Sequence, residues 1–336
     1  MFKRPHLRAA KRLVNAPSAL ILLFLASACS PGQDAVETAP TELPVESVDT
    51  AEPAGLELPA VWQTKDLEFP ITSVGIAGAL GSTVAVTYED GGLQFVDLDG
   101  ERVTDKADVG VAQVSDGRFL LLQETPVTLF PGITDRGDLS LYIHGGELTE
   151  PLPYPLDAGT DDLILGICSA PPVLDSDGVL RIGFWTQGER RQLQTGRIVE
   201  VGSDLVLLLN ASVSAARDIT ACVLSESEAL VYTDPVLAVA EVSNRSKVYR
   251  FLLDDLGGYS LTNDAGEVEA FSVTDGITVR PSARPVDMAA TGDARGGGYP
   301  GGVIVIGGEN SSGAHMVTFI DPSKVTLEPF GYSPSE

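Results

Sequence analysis

The sequence predicts an all-β protein, a β-propeller of four-stranded antiparallel blades, with six blades as the first interpretation and five as the alternative. Apolar residues occur in short runs between turn residues, without a sustained helical period. Glycine and proline are abundant, at 35 and 22 of 336 residues, which favours strands joined by tight turns. Hairpin groups of about 33 to 42 residues recur, each the length of one blade. A closed ring of blades would hide its sheet edges, whereas a β-sandwich pair is the alternative architecture.

Residues 1–28 have the features of a secretory signal peptide. A basic start is followed by the apolar run 19–25 and three small residues, and the run is too short to span a bilayer. Cys29 follows Ala28 as in the bacterial lipobox, so we expect Cys29 to be lipidated; plain cleavage that leaves a free thiol is the alternative. Because Ser30 rather than aspartate comes next, we expect a lipid-anchored protein of the bacterial cell envelope, at the outer membrane.

The segments on either side of the body contain few residues that could form a core. Residues 29–56 are rich in proline, glutamate, threonine, aspartate and alanine, so we expect a disordered tether behind the lipidated cysteine. Residues 331–336 have a similar composition and predict a flexible tail. The propeller is therefore expected over residues 57–330.

The charge of the chain limits its partners. The formal net charge is −25, and five of the 22 basic residues lie in the leader, where there are no acids. The remaining chain carries 17 basic and 47 acidic side chains. Such a surface disfavours direct binding to nucleic acid or to anionic lipid, so we expect membrane contact through the lipid anchor only.

Six hairpin groups follow one another along the body. Their predicted ranges are 71–103, 109–143, 163–201, 205–239, 247–279 and 286–327. Asp-Gly turns recur within them, at 98–100, 114–117, 174–178 and 263–266, and predict tight connections between strands.

The first and last groups contain the clearest strand signals. In the last group, four consecutive β-branched residues at 303–306 lie between paired glycines and predict a buried strand. A Tyr299-Pro300-Gly301 turn precedes it. In the first group, apolar runs on both sides of the acidic and glycine-rich turn at 89–92 predict an antiparallel hairpin.

Two cysteines remain in the body. Cys168 and Cys222 lie in similar contexts at the starts of two consecutive predicted blades. Equivalent positions in neighbouring blades can approach each other, and an oxidising compartment would permit a disulfide. Two buried free thiols are the alternative, because no spacing rule fixes the separation of the Cα atoms.

Several segments together resemble the β-propeller phytases, which are calcium-dependent six-bladed enzymes that remove phosphates from inositol hexakisphosphate. The strongest matches are in the last blade and the first hairpin, and the resemblance covers about residues 60 to 328. The matching segments are 286–287, 298–302, 303–306, 308–310 and 316–325, together with 91–100; weaker echoes are 166–168 and 221–223.

The resemblance implies a 3-phytase-like phosphomonoester hydrolase with Ca²⁺ as a possible cofactor and a small phosphorylated ligand. It puts Asp287 at a calcium-ligand position that keeps its carboxylate. Glu89 and Asp90 stand where the family has paired lysines, and reversing two charges beside a phosphate opposes hydrolysis. Thr220 and Gly307 stand where the family has acidic residues.

Three other acids are candidates for calcium binding. Asp161 and Asp162 could form a replacement site, and Glu309 could act as a ligand beside Asn310. The alternative in each case is an ordinary acidic turn, because one pair does not supply the 6 to 8 oxygens that calcium takes. His6, His144 and His315 are isolated, so they indicate neither a Ser/His/Asp arrangement nor a zinc site.

Two functions remain open at this point. The first is a phytase-like lipoprotein with a degenerate active site that still hydrolyses phosphomonoesters with calcium. The second is a propeller without catalysis that binds or assembles other molecules at the cell envelope, with an envelope protein as partner. Because one fold hosts many functions, the substituted residues favour the second.

Overall fold

The computed structural model describes residues 55–326, except 79–82, 146–147, 171–177, 226–227, 245–246, 264 and 294–297. The predicted signal peptide, Cys29, nearly all of the tether and the flexible tail lie outside the described residues. Within them, no helix is long and apolar enough to cross a membrane.

Strands joined by turns and loops make up the described residues, apart from one four-residue helix, α1 (Ser323–Thr326). In chain order, the strands are β1 (Leu56–Gln63), β2 (Ile71–Gly78), β3 (Thr83–Tyr88), β4 (Gly92–Asp97), β5 (Ala107–Asp108), β6 (Val111–Val114), β7 (Gly117–Leu122), β8 (Thr125–Thr134), β9 (Leu139–Gly145), β10 (Leu152–Pro155), β11 (Ile164–Ala170), β12 (Leu180–Thr186), β13 (Gln192–Val201), β14 (Asp204–Ser214), β15 (Ala221–Leu224), β16 (Ala229–Tyr232), β17 (Val236–Asn244), β18 (Lys247–Asp254), β19 (Tyr259–Asn263), β20 (Val268–Thr274), β21 (Arg284–Thr291), β22 (Val303–Glu309) and β23 (His315–Ile320).

These strands make six successive antiparallel units, which we call blades I to VI. Blade I is β2–β5, blade III is β11–β14 and blade V is β17–β20. In blade II, β6 and β7 pair with successive parts of β8, which continues through β9 to β10. Blade IV consists of β15 and β16 alone. Blade VI is β21, β22 and β23, and β1 from the start of the body supplies its fourth strand.

The blades form a closed ring. Their inner strands, β2, β6, β11, β15, β17 and β21, contact one another in this order, and β21 also contacts β2. The register Ala60↔Ile320 between β1 and β23 joins the two ends of the body in one sheet. The protein is therefore a β-propeller with six blades, five of which have four strands when β6 and β7, which extend along one edge of β8, are counted as one. The number of blades follows the first interpretation of the sequence.

The sequence-based boundaries of the fourth blade were wrong. The predicted group at 205–239 combined parts of three blades, because β14 is the outer strand of blade III and Val236 already begins blade V. Leu205 and Leu207 are buried with Leu180 and Ile198 of the same sheet, which explains their strand pattern without a new blade. Only the two strands β15 and β16 belong to the fourth blade.

The two clearest sequence-based predictions of strands are confirmed. In β22, the residues from Val303 to Gly308 are all buried. The hairpin of β3 and β4 turns at Gly91, whose φ of 81° lies in the left-handed region that favours glycine. The apolar core lies between neighbouring blades, because the inward-pointing residues of each twisted sheet pack against the next sheet.

Candidate functional site

The six inner strands enclose a central channel with a cavity of about 340 Å³. Residues from β2, β6, β11, β15, β17 and β21 line it. The acids among the lining residues are Asp116, Glu241, Asp287 and Asp293, and the described lining includes no lysine or arginine. The described lining therefore offers a polyanion no cationic side chain.

Asp287 is held in this channel by backbone amides. The amide of Val74 donates to Oδ2 at 2.9 Å, and the amide of Met288 donates to Oδ1 at 2.8 Å. The side chain keeps some accessible surface because it faces the channel, but protein atoms surround it elsewhere. This burial raises the pKa of Asp287 to about 7, although both amide hydrogen bonds favour the charged form.

Asp116 is a channel carboxylate that the sequence did not identify as a site residue. The motif 114–117 predicted an Asp-Gly turn, but residues 115 and 116 only connect β6 to β7, and both strands pair with β8. The amide of Ile76 donates to Asp116 Oδ1 at 3.0 Å. Burial raises the pKa of Asp116 to about 7, and the charge of Asp287 raises it further.

The two carboxylates therefore hold the same edge of β2, one from each neighbouring blade. Asp287 binds the amide of Val74 from blade VI, whereas Asp116 binds the amide of Ile76 from blade II. These two amides belong to alternate residues of the inner strand β2, which can be held this way because its pairing with β3 uses the other edge. The carboxylates thus tie three blades together at the channel wall.

The other predicted calcium ligands lie elsewhere. Glu309 is at the end of β22, where its Oε1 is 3.2 Å from Nη1 of Arg284. Asp161 and Asp162 are exposed on the loop between β10 and β11, and neither lines the channel. Among the residues that the structure describes, no three histidine, cysteine, aspartate or glutamate side chains come together as a metal site.

The positions that depart from the phytase pattern have local structural partners. Asp90 forms an ion pair with Lys106, which lowers the pKa of the Asp90 carboxyl. Thr220 Oγ1 donates to the carbonyl of Val236 at 2.6 Å. A Cβ atom at Gly307 would lie 2.8 Å from Cγ1 of Val74, so that position has no room for an acidic side chain.

Cys168 and Cys222 form a disulfide between the inner strands of blades III and IV. Their sulfur atoms are 2.01 Å apart and their Cα atoms 5.7 Å apart. Both residues line the channel and belong to a small apolar cluster with Trp185 and Leu224. The bridge connects the two-stranded blade covalently to a complete one.

No protein-family model matches the chain, and no curated protein matches it. A solved structure with similarity to it is a mutant of AofleA from Arthrobotrys oligospora, with 11% identity and a TM-score of 0.49 over 79% of this chain and 92% of that chain. Another is the Aleuria aurantia lectin, described as a six-bladed β-propeller with a novel mode of fucose recognition. It has 10% identity and a TM-score of 0.45 over 80% of this chain and 100% of that chain. Likenesses at this level carry no argument about a ligand, and the closed ring of inner strands is what establishes the β-propeller fold.

Proposed function

We propose that this protein is a binding propeller without hydrolytic activity that acts at the bacterial cell envelope. The proposal rests on the contacts of the two acids at positions that match the calcium-binding region of the phytases. Both carboxylate oxygens of Asp287 accept hydrogen bonds from backbone amides, and Glu309 forms an ion pair with Arg284. These groups stabilise the sheets, and calcium binding would have to break or compete with those contacts.

The charge of the channel supports the same proposal. Inositol phosphates carry many negative charges, and their hydrolysis needs cationic groups that bind the phosphate oxygens. The described channel lining has four acids and no basic side chain. At the first hairpin, Glu89 is exposed and Asp90 is paired with Lys106, so the local charge is unlike that of a phosphate site.

The envelope location rests on the leader and on the disulfide. The signal-like segment 1–28 and lipidation of Cys29 are sequence-based proposals, as is the outer membrane. The bridge between Cys168 and Cys222 supports an oxidising compartment and hence export, because structural disulfides persist there. Expression of the full chain in a bacterial host, followed by mass spectrometry, tests the anchor: we expect a lipidated residue 29, and a Cys29→Ser variant without lipid. An unmodified wild-type cysteine would contradict lipidation.

The test of the proposed function is phosphate release. We expect the chain from residue 29 onward, with Cys29→Ser, to release no phosphate from inositol hexakisphosphate with or without millimolar calcium. A matched Asp287→Asn variant removes the charge of the best predicted ligand. Calcium-dependent release by the parent protein that the variant loses would establish the hydrolase and overturn the proposal.

A further inference from the structure

One residue near the start of each inner strand is out of register with the second strand of its blade. In blade IV, the amide of Thr220 donates to the carbonyl of Tyr232 at 3.0 Å, although the register partner of Tyr232 is Ala221. In the other five blades, the residue left out of the ladder is Thr72, Ala112, Leu165, Leu237 or Val286. Such a β-bulge redirects a side chain. We call these six residues, Thr72, Ala112, Leu165, Thr220, Leu237 and Val286, the collar.

The collar surrounds one end of the central channel. Hydrogen bonds join the starts of neighbouring inner strands: the Thr220 hydroxyl donates to the carbonyl of Val236 at 2.6 Å. Likewise, the amide of Val114 donates to Ser73 Oγ at 2.8 Å. The strand starts therefore lie side by side, and each contributes one residue to a ring. Leu237 lines the channel and is also 44% exposed, so the channel opens to solvent at this end.

This end of the channel is largely apolar. Leu165 and Val286 of the collar are 42% and 37% exposed, Ala112 is exposed as well, and no collar residue is charged. The residues two positions further along each inner strand line the channel, and all are apolar: Val74, Val114, Ile167, Cys222, Val239 and Met288. Exposed apolar side chains gathered at the opening of a cavity are typical of a binding site, whereas single ones are ordinary.

The other end of the channel is polar and presents acceptors. Ser169 and Thr291 line it close to the ends of β11 and β21. The Ser169 hydroxyl donates to Ser115 Oγ at 2.9 Å, and the Thr291 hydroxyl donates to Asp293 Oδ2 at 3.2 Å. Because these two hydroxyls donate within the lining, they offer a ligand oxygen lone pairs, which accept hydrogen bonds.

The partners of the channel acids favour an uncharged ligand. Asp287 accepts two backbone amides and Asp116 accepts one. Glu241 forms an ion pair with Arg250 at 3.0 Å. A cationic head group would have to compete with these partners, and an anionic one would meet no basic side chain in the described lining. A hydroxyl group donates a hydrogen bond without either cost.

We propose that the channel binds a neutral amphipathic molecule, an aliphatic chain with a hydroxyl group at one end. This rests on the proposed binding function and names the class of its ligand. The aliphatic chain packs against Leu165, Leu237 and Val286 and continues along the apolar lining, and the hydroxyl donates to the oxygens at the polar end. The cavity of about 340 Å³ has the size of a small-molecule site.

The test compares n-octanol, octanoate and octylamine, which share one chain length and differ in charge at neutral pH. The protein is the Cys29→Ser chain from residue 29 onward. The uncharged dye N-phenyl-1-naphthylamine, which fluoresces in apolar sites, reports each ligand by its displacement. We expect octanol to displace the dye saturably, and octanoate and octylamine to bind at least about tenfold more weakly.

Variants of the collar locate the site. Leu237→Asn and Leu165→Asn remove apolar surface at side chains that are 44% and 42% exposed, so the fold should tolerate both. Each should weaken octanol binding at least about fivefold. Leu152→Asn makes the same change at a leucine that is 46% exposed on the outer strand β10, and should bind as the parent does. Circular dichroism and thermal melting establish that the variants are folded.

Several results would overturn the proposal. Absence of octanol binding would remove the channel as a site for this class of ligand, and equal binding by the parent and both collar variants would place octanol elsewhere. Octanoate or octylamine that binds as tightly as octanol would contradict the uncharged head group. Octanol binding that occurs only after deletion of residues 327–336 would assign the channel to the protein's own tail. None of these results depends on phosphate release, so this inference and the proposed function can fail separately.

Discussion

Blades IV and VI are both held between two neighbouring blades, but different contacts hold them there. Blade VI has four strands, and its central strand β22 is buried on both faces: Ile304 and Ile306 lie in one apolar cluster, Val303 and Val305 in another. Blade IV has two strands, a small apolar cluster and a disulfide on the side of blade III, and one ion pair, between Glu228 and Arg250, on the side of blade V. A propeller therefore tolerates an incomplete blade when covalent and ionic links replace part of the missing apolar contact.

The largest effect is expected from the disulfide. The double variant Cys168→Ala, Cys222→Ala should lower the free energy of unfolding by about 4 kcal/mol, because the bridge closes a loop of 54 residues in the unfolded chain. Chemical denaturation measures this loss. Amide hydrogen exchange should show that β15 and β16 lose protection first, whereas β22 opens only with the whole molecule. A loss below about 1 kcal/mol would contradict the role of the bridge.

Truncating one apolar side chain in each blade should show how differently the two blades are packed. Ile306→Ala in β22 should cost about 3 kcal/mol, because the side chain is 1% exposed and leaves a cavity. Leu230→Ala in β16 should cost about 1 kcal/mol, since Leu230 is only partly buried and the site can relax. Denaturant melts of the two variants give the difference. Equal costs would mean that blade IV is packed as tightly as blade VI.

Because of the channel carboxylates, we expect a pH effect on the contacts of β2 with blades II and VI. The pKa values of Asp116 and Asp287 are raised to about 7 in the folded protein, from an ordinary value of 3.8. The folded state therefore binds more protons between about pH 4 and pH 7, and the stability contributed by these groups falls as the pH rises through that range. Melting temperatures from pH 4 to pH 8 should show this decline, and Asp287→Asn should reduce its slope. An unchanged slope would contradict the assignment.

The smallest effect is expected at an exposed ion pair outside both blades. Lys106→Met should change the free energy of unfolding by at most about 1 kcal/mol, because the Asp90 side chain is 42% exposed and water screens the pair. The same denaturation measurement provides the baseline for the larger effects. A loss comparable to that of the disulfide variant would show that position 90 has a structural role that its contacts do not explain.

The fold was largely predictable because its signals are local. The strand at 303–306 and the hairpin at Gly91 are encoded by neighbouring residues, and the closed ring agrees with the recurring hairpin length. The reduced blade was not predictable in the same way. The apolar pattern of 205–214 is the same whether that strand ends one blade or begins the next, and only its packing against Leu180 and Ile198 decides the matter.

The candidate site was less predictable because it depends on contacts distant in the chain. Asp287 was identified through a resemblance, yet its two amide partners follow from the way blade VI meets β2. Asp116 lies in a motif that usually forms a turn, so its place in the channel could not be inferred from its neighbours.

The pairing of β1 with β23 also determines how late during synthesis the ring can close. Ala60 meets Ile320, and these residues are separated by nearly the whole described body. Synthesis proceeds at about 5 to 20 residues per second, so β1 waits on the order of ten seconds or more for its neighbour. During that time the ring cannot close, although neighbouring hairpins can already form. Among the strands that the structure describes, the first one made is therefore among the last to pair, and the ring can close only after β23 has been made.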